Sequence, residues 1–362
     1  MAKVLQRSKP FDLGKSSCQC CGSQEKSTMA RLMIYGATGY TGRMASEHAK
    51  RAALDFVLAG RTETKLKELA VSLGVPYSVF GVADSQTVDA ALGGGITVLL
   101  NCAGPFMRTA APLIGACIRN GIHYLDIAAE LDSYRLAEER DDEAERANVM
   151  LMPGCGGSVA MLGCLAGYAV ERVKDPVVRL DIALHVAGSM SRGSAVSAAE
   201  NLTTTECLQR VDGELVAQRN GSETQQFDFC DGRGPVPCFP LTLPDLITIW
   251  RSTHVRNIGT FVNASGESFP TGDLDALPEG PTVEQRKAGP YHAAVAVTAA
   301  DGTVRRAVLH TVNGYTFTPV ASVAAARRVL AGEARPGFQT PAVVFGISFV
   351  ETIAGSQLKD MP

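Results

Sequence analysis

Gly36, Gly39 and Gly42 recur at three-residue spacing, directly after the apolar run Arg31 to Tyr35. Glycine at the first position permits a tight turn. At the second it lets a ligand's phosphates approach the backbone, and at the third it lets a helix pack closely on a strand. The N–H groups that open the following helix then face an anion. In this strand–turn–helix setting the motif predicts dinucleotide binding, with Thr38, Tyr40 and Thr41 in the same loop. A glycine-rich turn with no ligand is the competing reading.

The second apolar run ends in Ala59-Gly60-Arg61-Thr62, with Lys65 a helical turn later and no acid at the strand end. An acid there would bind the 2′-hydroxyl of NAD, whereas an arginine accommodates a 2′-phosphate. Arg61 and Thr62 therefore select NADPH. Asp84, after the third strand, is a candidate for the adenine amine. Asn101-Cys102-Ala103-Gly104-Pro105-Phe106 ends the fourth strand, where the carboxyl ends of a parallel sheet face the ligand crevice. Its small residues would let backbone run beside the nicotinamide, although a plain turn has the same composition.

NADPH would bring the hydride, so the chain must hold an acceptor bond and manage a proton. His123, Tyr124, Asp126 and Glu130 cluster at and after the fifth strand as candidates, with a structural hydrogen-bond network as the alternative. Arg192, within Ser191-Arg-Gly-Ser194 before a helix, is suited to a substrate carboxylate. Tyr315 lies near an element end. His185, on an apolar strand, reads as core. No tyrosine has a lysine four residues on, which excludes the Tyr-x-x-x-Lys chemistry of short-chain dehydrogenases.

These residues need a scaffold. From Arg31 the chain alternates apolar strands with amphipathic helices, as in a parallel α/β sheet. Strands are expected at Arg31 to Tyr35, Phe56 to Ala59, Tyr77 to Val82, Thr97 to Asn101, His123 to Ile127 and Val149 to Met152. Longer strands follow, at Val177 to Val186, Arg256 to Asn263, and Tyr291 to Thr298 with Thr303 to Thr311. The last two flank the turn Ala300-Asp301-Gly302. Helices are expected at Ser191 to Leu202 and about Val320 to Leu330, loops over Val211 to Pro240, and a final helix near Pro341. The fold class is α/β: a doubly wound Rossmann sheet plus a second α/β domain with a mixed or antiparallel sheet. The expected division is a tail over 1–28 and an NADP-binding domain over 29–156. A second α/β domain follows over 157–334, with the final helix within 335–362.

The chain has 362 residues, 46% hydrophobic and 20% charged, with a formal net charge of −3. That is ordinary for a folded globular protein and gives no electrostatic grip on nucleic acid. No apolar run is long enough to span a bilayer. The absence of a secretory signal, with cysteines in apolar settings, points to a reducing, cytoplasmic location. Cys18 and Cys21 form a C-x-x-C pair, but no second pair follows, so no metal site is expected.

The order of motifs resembles the saccharopine dehydrogenase-like oxidoreductases, a group that includes trans-acting enoyl reductases. The matching residues are Gly36 to Gly42, Leu58-Ala-Gly-Arg61, Asn101 to Phe106, and Gly121-Ile-His-Tyr-Leu-Asp126 with Glu130. Gly314-Tyr315, Gly332-Glu333 and Gly337-Phe-Gln-Thr-Pro-Ala342 also match. The resemblance spans Arg31 to Ile353. It implies that 157–334 is a substrate and dimerisation domain interrupting the Rossmann domain, to which the C-terminal helix over 335–362 returns. It also implies an NADPH-dependent reductase acting on a C=N or C=C bond of a small metabolite, including those of specialised metabolism, and a homodimer. An NADP-sensing protein without catalysis is the alternative. Where relatives have Gly-Phe-Asp-Ser-Val-Pro, this chain has Gly154-Cys-Gly-Gly-Ser-Val159. The Asp and Pro of that motif are absent.

Overall fold

The computed structural model describes residues 30–202, 206–218, 224–266 and 273–361. The expected N-terminal tail, with Cys18 and Cys21, lies outside them. The first sheet contains β1 (Arg31–Tyr35), β2 (Phe56–Gly60), β3 (Tyr77–Val79), β4 (Ile96–Asn101), β5 (His123–Asp126) and β6 (Met150–Met152). The connecting helices are α1 (Tyr40–Arg51), α2 (Glu63–Leu73), α3 (Ser85–Leu92), α4 (Phe106–Asn120), α5 (Leu131–Glu139) and α6 (Asp141–Arg146).

The strands pair in parallel in the order β6-β5-β4-β1-β2-β3, a Rossmann arrangement. Both faces are covered, which explains why the strands read as continuous apolar runs rather than alternating ones. Leu32 and Ile34 of β1 enter one core, with Ala45, Leu58 and Leu66. Met33 and Tyr35 enter another, with Val88, Leu113 and Tyr134. Strand order reverses between β1 and β4, whose last residues Tyr35 and Asn101 lie side by side. Ligand crevices form at such a switch point.

The second sheet is mixed. β7 (Val177–Ala187) pairs in parallel with β12 (Ile258–Ser265) and antiparallel with β13 (Tyr291–Ala299), which forms a hairpin with β14 (Val304–Thr311). Four shorter strands cover and extend it: β8 (Leu208–Val211), β9 (Glu214–Ala217), β10 (Gln225–Asp228) and β11 (Pro235–Pro240). These occupy the stretch expected as loops. They are short and partly exposed, so neither periodicity nor β-branched content marks them, and pairing to distant strands makes them regular.

The remaining helices join the two sheets. α7 (Ser158–Val170) is buried nearly all round and packs on β7, β13 and β14. α8 (Arg192–Leu202), α9 (Asp245–Thr253) and α10 (Val283–Ala288) follow, and α11 spans Gly314–Leu330. α11 packs on α1, β1, β4 and β5, so it is this helix that returns to the first sheet. It starts earlier than expected because Pro319 lies inside it, and Asn313 caps its start through Tyr315 N–H at 3.0 Å. The C-terminal segment differs from the expected helix. It adds β15 (Gly337–Phe338) beside β6, forms the five-residue α12 (Pro341–Phe345), and ends as β16 (Gln357–Asp360) on β14 of the second sheet. Thr340 and Pro341 do start a helix, but Gly346, at φ 82°, ends it after one turn. One core cluster runs from Leu32 and Ile34 through α7 to Leu180 and Ile182, so the two sheets share it.

Candidate active site

Gly36 has φ 77°, and a Cβ there would lie 2.7 Å from Ala103 N. The glycine turn is thus seated directly on the backbone that follows β4. A Cβ on Gly42 would come 2.2 Å from Gly36 O, so α1 can begin only if that position is bare. Gly39 differs: it is exposed, has φ −71°, and a Cβ there would meet only Gly36 O at 3.4 Å. The protein itself leaves that space open. Gly39 is the N-cap of α1, no side chain caps the helix, and no acid stands in its first turn. The orphan N–H groups there suit the phosphates of a dinucleotide.

Arg61 and Thr62 follow the last residue of β2, both exposed, and Thr62 is the N-cap of α2. The Arg61 charge lies close enough to Tyr35 to oppose the rise in that phenol's pKa caused by burial. Asp84, the candidate for the adenine amine, is the N-cap of α3. Its carboxylate caps α3, accepting from Gln86 N–H at 3.3 Å and Thr87 N–H at 3.1 Å, and the Thr87 hydroxyl also donates to it.

Asn101 shapes the loop after β4. Its Oδ1 accepts from Ala103 N–H at 2.9 Å, while Nδ2 donates to Thr109 Oγ1 at 3.0 Å and to Tyr124 OH at 3.1 Å. Thr109 Oγ1 in turn donates to Ala103 O at 2.7 Å. Cys102, Gly104 and Pro105 complete this loop, and the Gly104–Pro105 peptide is cis. Burial pushes the Cys102 thiol up to about 12, which keeps it protonated.

Tyr124 and Asp126 belong to the same network. Tyr124 is fully buried and donates to Asp126 Oδ2 at 2.9 Å. Asp126 Oδ1 accepts from Ala128 N–H at 2.9 Å and Gly154 N–H at 2.8 Å, tying together the loops after β5 and β6. Burial raises the Asp126 carboxyl to about 7, against the lowering effect of these hydrogen bonds. Glu130, 5% exposed, accepts from Phe106 N–H and Ala129 N–H. His123 Nδ1 accepts from Met150 N–H at 3.0 Å. His123, Asp126 and Glu130 are thus bonded to the backbone around them, and Tyr124 to the side chains of Asn101 and Asp126, as in the network alternative weighed from the sequence.

The second half of the chain closes over the glycine turn. Tyr315 meets Tyr40 edge to face, with ring centroids 5.6 Å apart. Tyr40 OH donates to Pro281 O and accepts from Arg286 Nη1. Tyr315 OH accepts from Ser191 N–H at 2.8 Å, fixing the start of α8 to the start of α11. Arg192 Nε donates to Leu277 O at 2.9 Å, and its N–H donates to Glu279 O at 3.2 Å. A Cβ on Gly104 would lie 3.8 Å from Ser197 Oγ, so α8 stands opposite the loop after β4. Arg192 and Tyr315 are thereby brought together with Gly36–Gly42 and Asn101–Pro105. The sequence reading missed Thr109, Ser197, Pro281 and Arg286. Thr282-Val-Glu-Gln285 is a capping box that could have signalled α10 and hence Arg286.

A glycine turn, an uncapped helix start and an exposed arginine at the switch point of a parallel sheet define a dinucleotide-binding Rossmann domain. Residues 32–152 match the family model described as Saccharopine dehydrogenase NADP binding domain. NADP is therefore the cofactor of this domain. The chain is 33% identical over 107 residues to the trans-acting enoyl reductase of Mycobacterium leprae, covering 28% of this chain and 25% of that protein. It is 29% identical over 197 residues to the carboxyaminopropylagmatine dehydrogenase of Synechocystis sp., covering 50% and 48%. These matches span between a quarter and about half of the relatives' lengths. In fold it is similar to apo saccharopine dehydrogenase (L-Glu forming) of Saccharomyces cerevisiae, with a TM-score of 0.62 at 13% identity, covering 92% of this chain and all of that one. Among the described residues, no helix is long and apolar enough to cross a membrane.

Proposed function

We propose that the chain is an NADPH-dependent reductase, acting on a C=N or C=C bond of a small metabolite of the kind specialised metabolism handles. The observation that carries this reading is the closure of the second half of the chain over the cofactor turn, through Tyr40, Tyr315, Pro281 and Arg286. A domain that only sensed NADP would need no such wall. A hydride-transfer enzyme does, because the acceptor must be oriented and water kept out.

NADPH, when bound, supplies a hydride at its nicotinamide ring. Gly36, Thr38, Gly39, Tyr40, Thr41 and Gly42 would hold its phosphates, and Arg61 with Thr62 the 2′-phosphate. The loop Asn101 to Pro105 would line the nicotinamide side. Arg192, with its guanidinium at the mouth of α8, would receive an anionic group of the acceptor, and Tyr315 would position that helix. Tyr124, Asp126 and Glu130 act in this reading as positioning residues that hold three loops in register.

The test is NADPH deuterated in turn on each face of its C4, offered with a panel of cyclic imines and enones. Transfer of deuterium to one acceptor class from one face supports the reductase. Tight NADPH binding with no acceptor-dependent oxidation across the panel would instead mark a non-catalytic NADP-binding protein.

A further inference from the structure

His185 on β7, His292 on β13 and His310 on β14 stand directly opposite one another, in the pairs His185↔His292 and His292↔His310. In a strand, alternate residues share a face. Their neighbours two residues away, Ala183, Ala294 and Val308, pack with Phe227, Phe229 and Phe261 on one side of the sheet. Leu184, Ala293 and Leu309 face the other side, toward α7 and the shared core. The histidine row is therefore on the face turned away from that core. The β10–β11 hairpin covers it, with Phe229, Asp231 and Arg233 in its turn.

The hydrogen bonds of the row are unevenly filled. His310 Nε2 is 2.7 Å from Phe229 O, and His185 Nε2 is 2.9 Å from Ser265 Oγ. Nδ1 of His185 and Nδ1 of His292 are both buried and, among the described residues, without a partner. His185 is 5% exposed, so no open solvent fills that place. The two rings lie nearly parallel, 12° apart, with centroids 5.9 Å from each other. One ligand atom from each of His185, His292 and Asp231 falls within 4.8 Å of the others.

We propose that His185, His292 and Asp231 bind a divalent transition ion of the Zn²⁺ type, which pins the β10–β11 hairpin to the outer face of the second sheet. Two imidazoles and a carboxylate suit such borderline ions, with ligand distances of about 2.0–2.2 Å. Ser265 on the far nitrogen of His185 is the second contact that orients a ligating imidazole. Asp231 is currently paired with the exposed Arg233, whose Nε lies 2.8 Å from Oδ2. Ion entry exchanges that guanidinium for the metal. The turn can draw inward because Gly232 and Gly234, at φ 91° and 71°, supply left-handed backbone there. The site is independent of the NADP reading, since it lies on the opposite face of the sheet.

The test uses Co²⁺ as probe with the full chain carrying Cys18→Ser, Cys20→Ser, Cys21→Ser and Cys230→Ser, which removes the N-terminal cysteine cluster and the exposed thiol beside Asp231. We expect one equivalent of Co²⁺ per chain, with visible d–d bands and no thiolate charge-transfer band. His292→Gln and Asp231→Asn should each weaken binding at least tenfold, and Arg233→Ala should tighten it by freeing Asp231. Circular dichroism and NADPH affinity should stay at the wild-type values throughout. Asp231 is in an accessible turn, so D231N remains informative if His292→Gln fails to fold. No stoichiometric Co²⁺ uptake, or uptake indifferent to Asp231→Asn, would overturn the proposal.

Discussion

Arg61 stands exposed beyond the last residue of β2, where no acid competes for a ribose hydroxyl. A 2′-phosphate contact there is charge-assisted and contributes about 1.5–3 kcal/mol. Arg61→Ala should therefore weaken NADPH binding by roughly ten- to a hundredfold while leaving NADH affinity unchanged. Fluorescence titration of both cofactors checks this, and parallel losses for the two would move the 2′-phosphate elsewhere. Asp245 is a different case. It is fully buried, neither carboxylate oxygen has a hydrogen-bond partner among the described residues, and burial raises its carboxyl to about 7. A folded-state pKa above the unfolded value means that folding favours the protonated form. Its contribution is most favourable below about 4, and is lost as pH rises toward about 7. Asp126 shifts in the same direction. Asp245→Asn should accordingly stabilise the chain at pH 8 by about 1–3 kcal/mol and bring no gain at pH 4. Urea denaturation at the two pH values measures it, and an offset independent of pH would show that ionisation is not the cause.

At the scale of elements, the glycine turn separates two kinds of constraint that the spacing alone merges. Gly42 is required by the protein, because a Cβ would sit 2.2 Å from Gly36 O. Gly42→Ala should lower stability by about 1–3 kcal/mol through forced displacement of α1, and cofactor binding should fall with it. Gly39 faces open space at an ordinary φ, and its nearest contact would be 3.4 Å away. Gly39→Ala should keep the melting temperature of the cofactor-free protein within a degree or two, yet weaken NADPH binding more than tenfold by obstructing the pyrophosphate. Thermal denaturation and cofactor titration on the pair decide the matter. Unchanged NADPH affinity in the Gly39 variant would place the phosphates elsewhere.

Across the whole molecule, α8, α11 and the segment carrying Pro281 and Arg286 converge on Tyr40 and on the loop after β4. Tyr315 is the joint: its ring meets Tyr40, and its hydroxyl accepts from Ser191 N–H. Tyr315→Phe keeps the ring contact and removes only the hydroxyl, leaving Ser191 N–H without that partner. The expected cost is about 0.5–1.5 kcal/mol in the positioning of α8. Turnover of the acceptor should drop several-fold while NADPH affinity stays close to wild type. Steady-state kinetics beside cofactor titration separates the two, and a matched loss of both would make Tyr315 part of the cofactor site instead.

The sequence by itself determined the glycine turn, the six parallel strands of the first sheet, the arginine at the end of β2 and the hairpin through Asp301. All of these are written in short-range patterns: apolar runs, helical spacing and turn residues whose φ is fixed locally. It also placed Tyr124, Asp126 and Glu130 beside one another, but could not say whether they faced a ligand or the backbone, because burial depends on the loops after β4 and β6. Only the tertiary structure shows Asp126 and Glu130 hydrogen-bonded to those loops, with Tyr124 bonded to Asp126. The strands over Val211 to Pro240, the return of α11 and the histidine row were likewise hidden. Each depends on contacts between residues far apart in the chain, and the strands over Val211 to Pro240 are in addition too short and too exposed to leave a periodic trace. His185 looks like one polar residue on an apolar strand until β13 and β14 set His292 and His310 beside it.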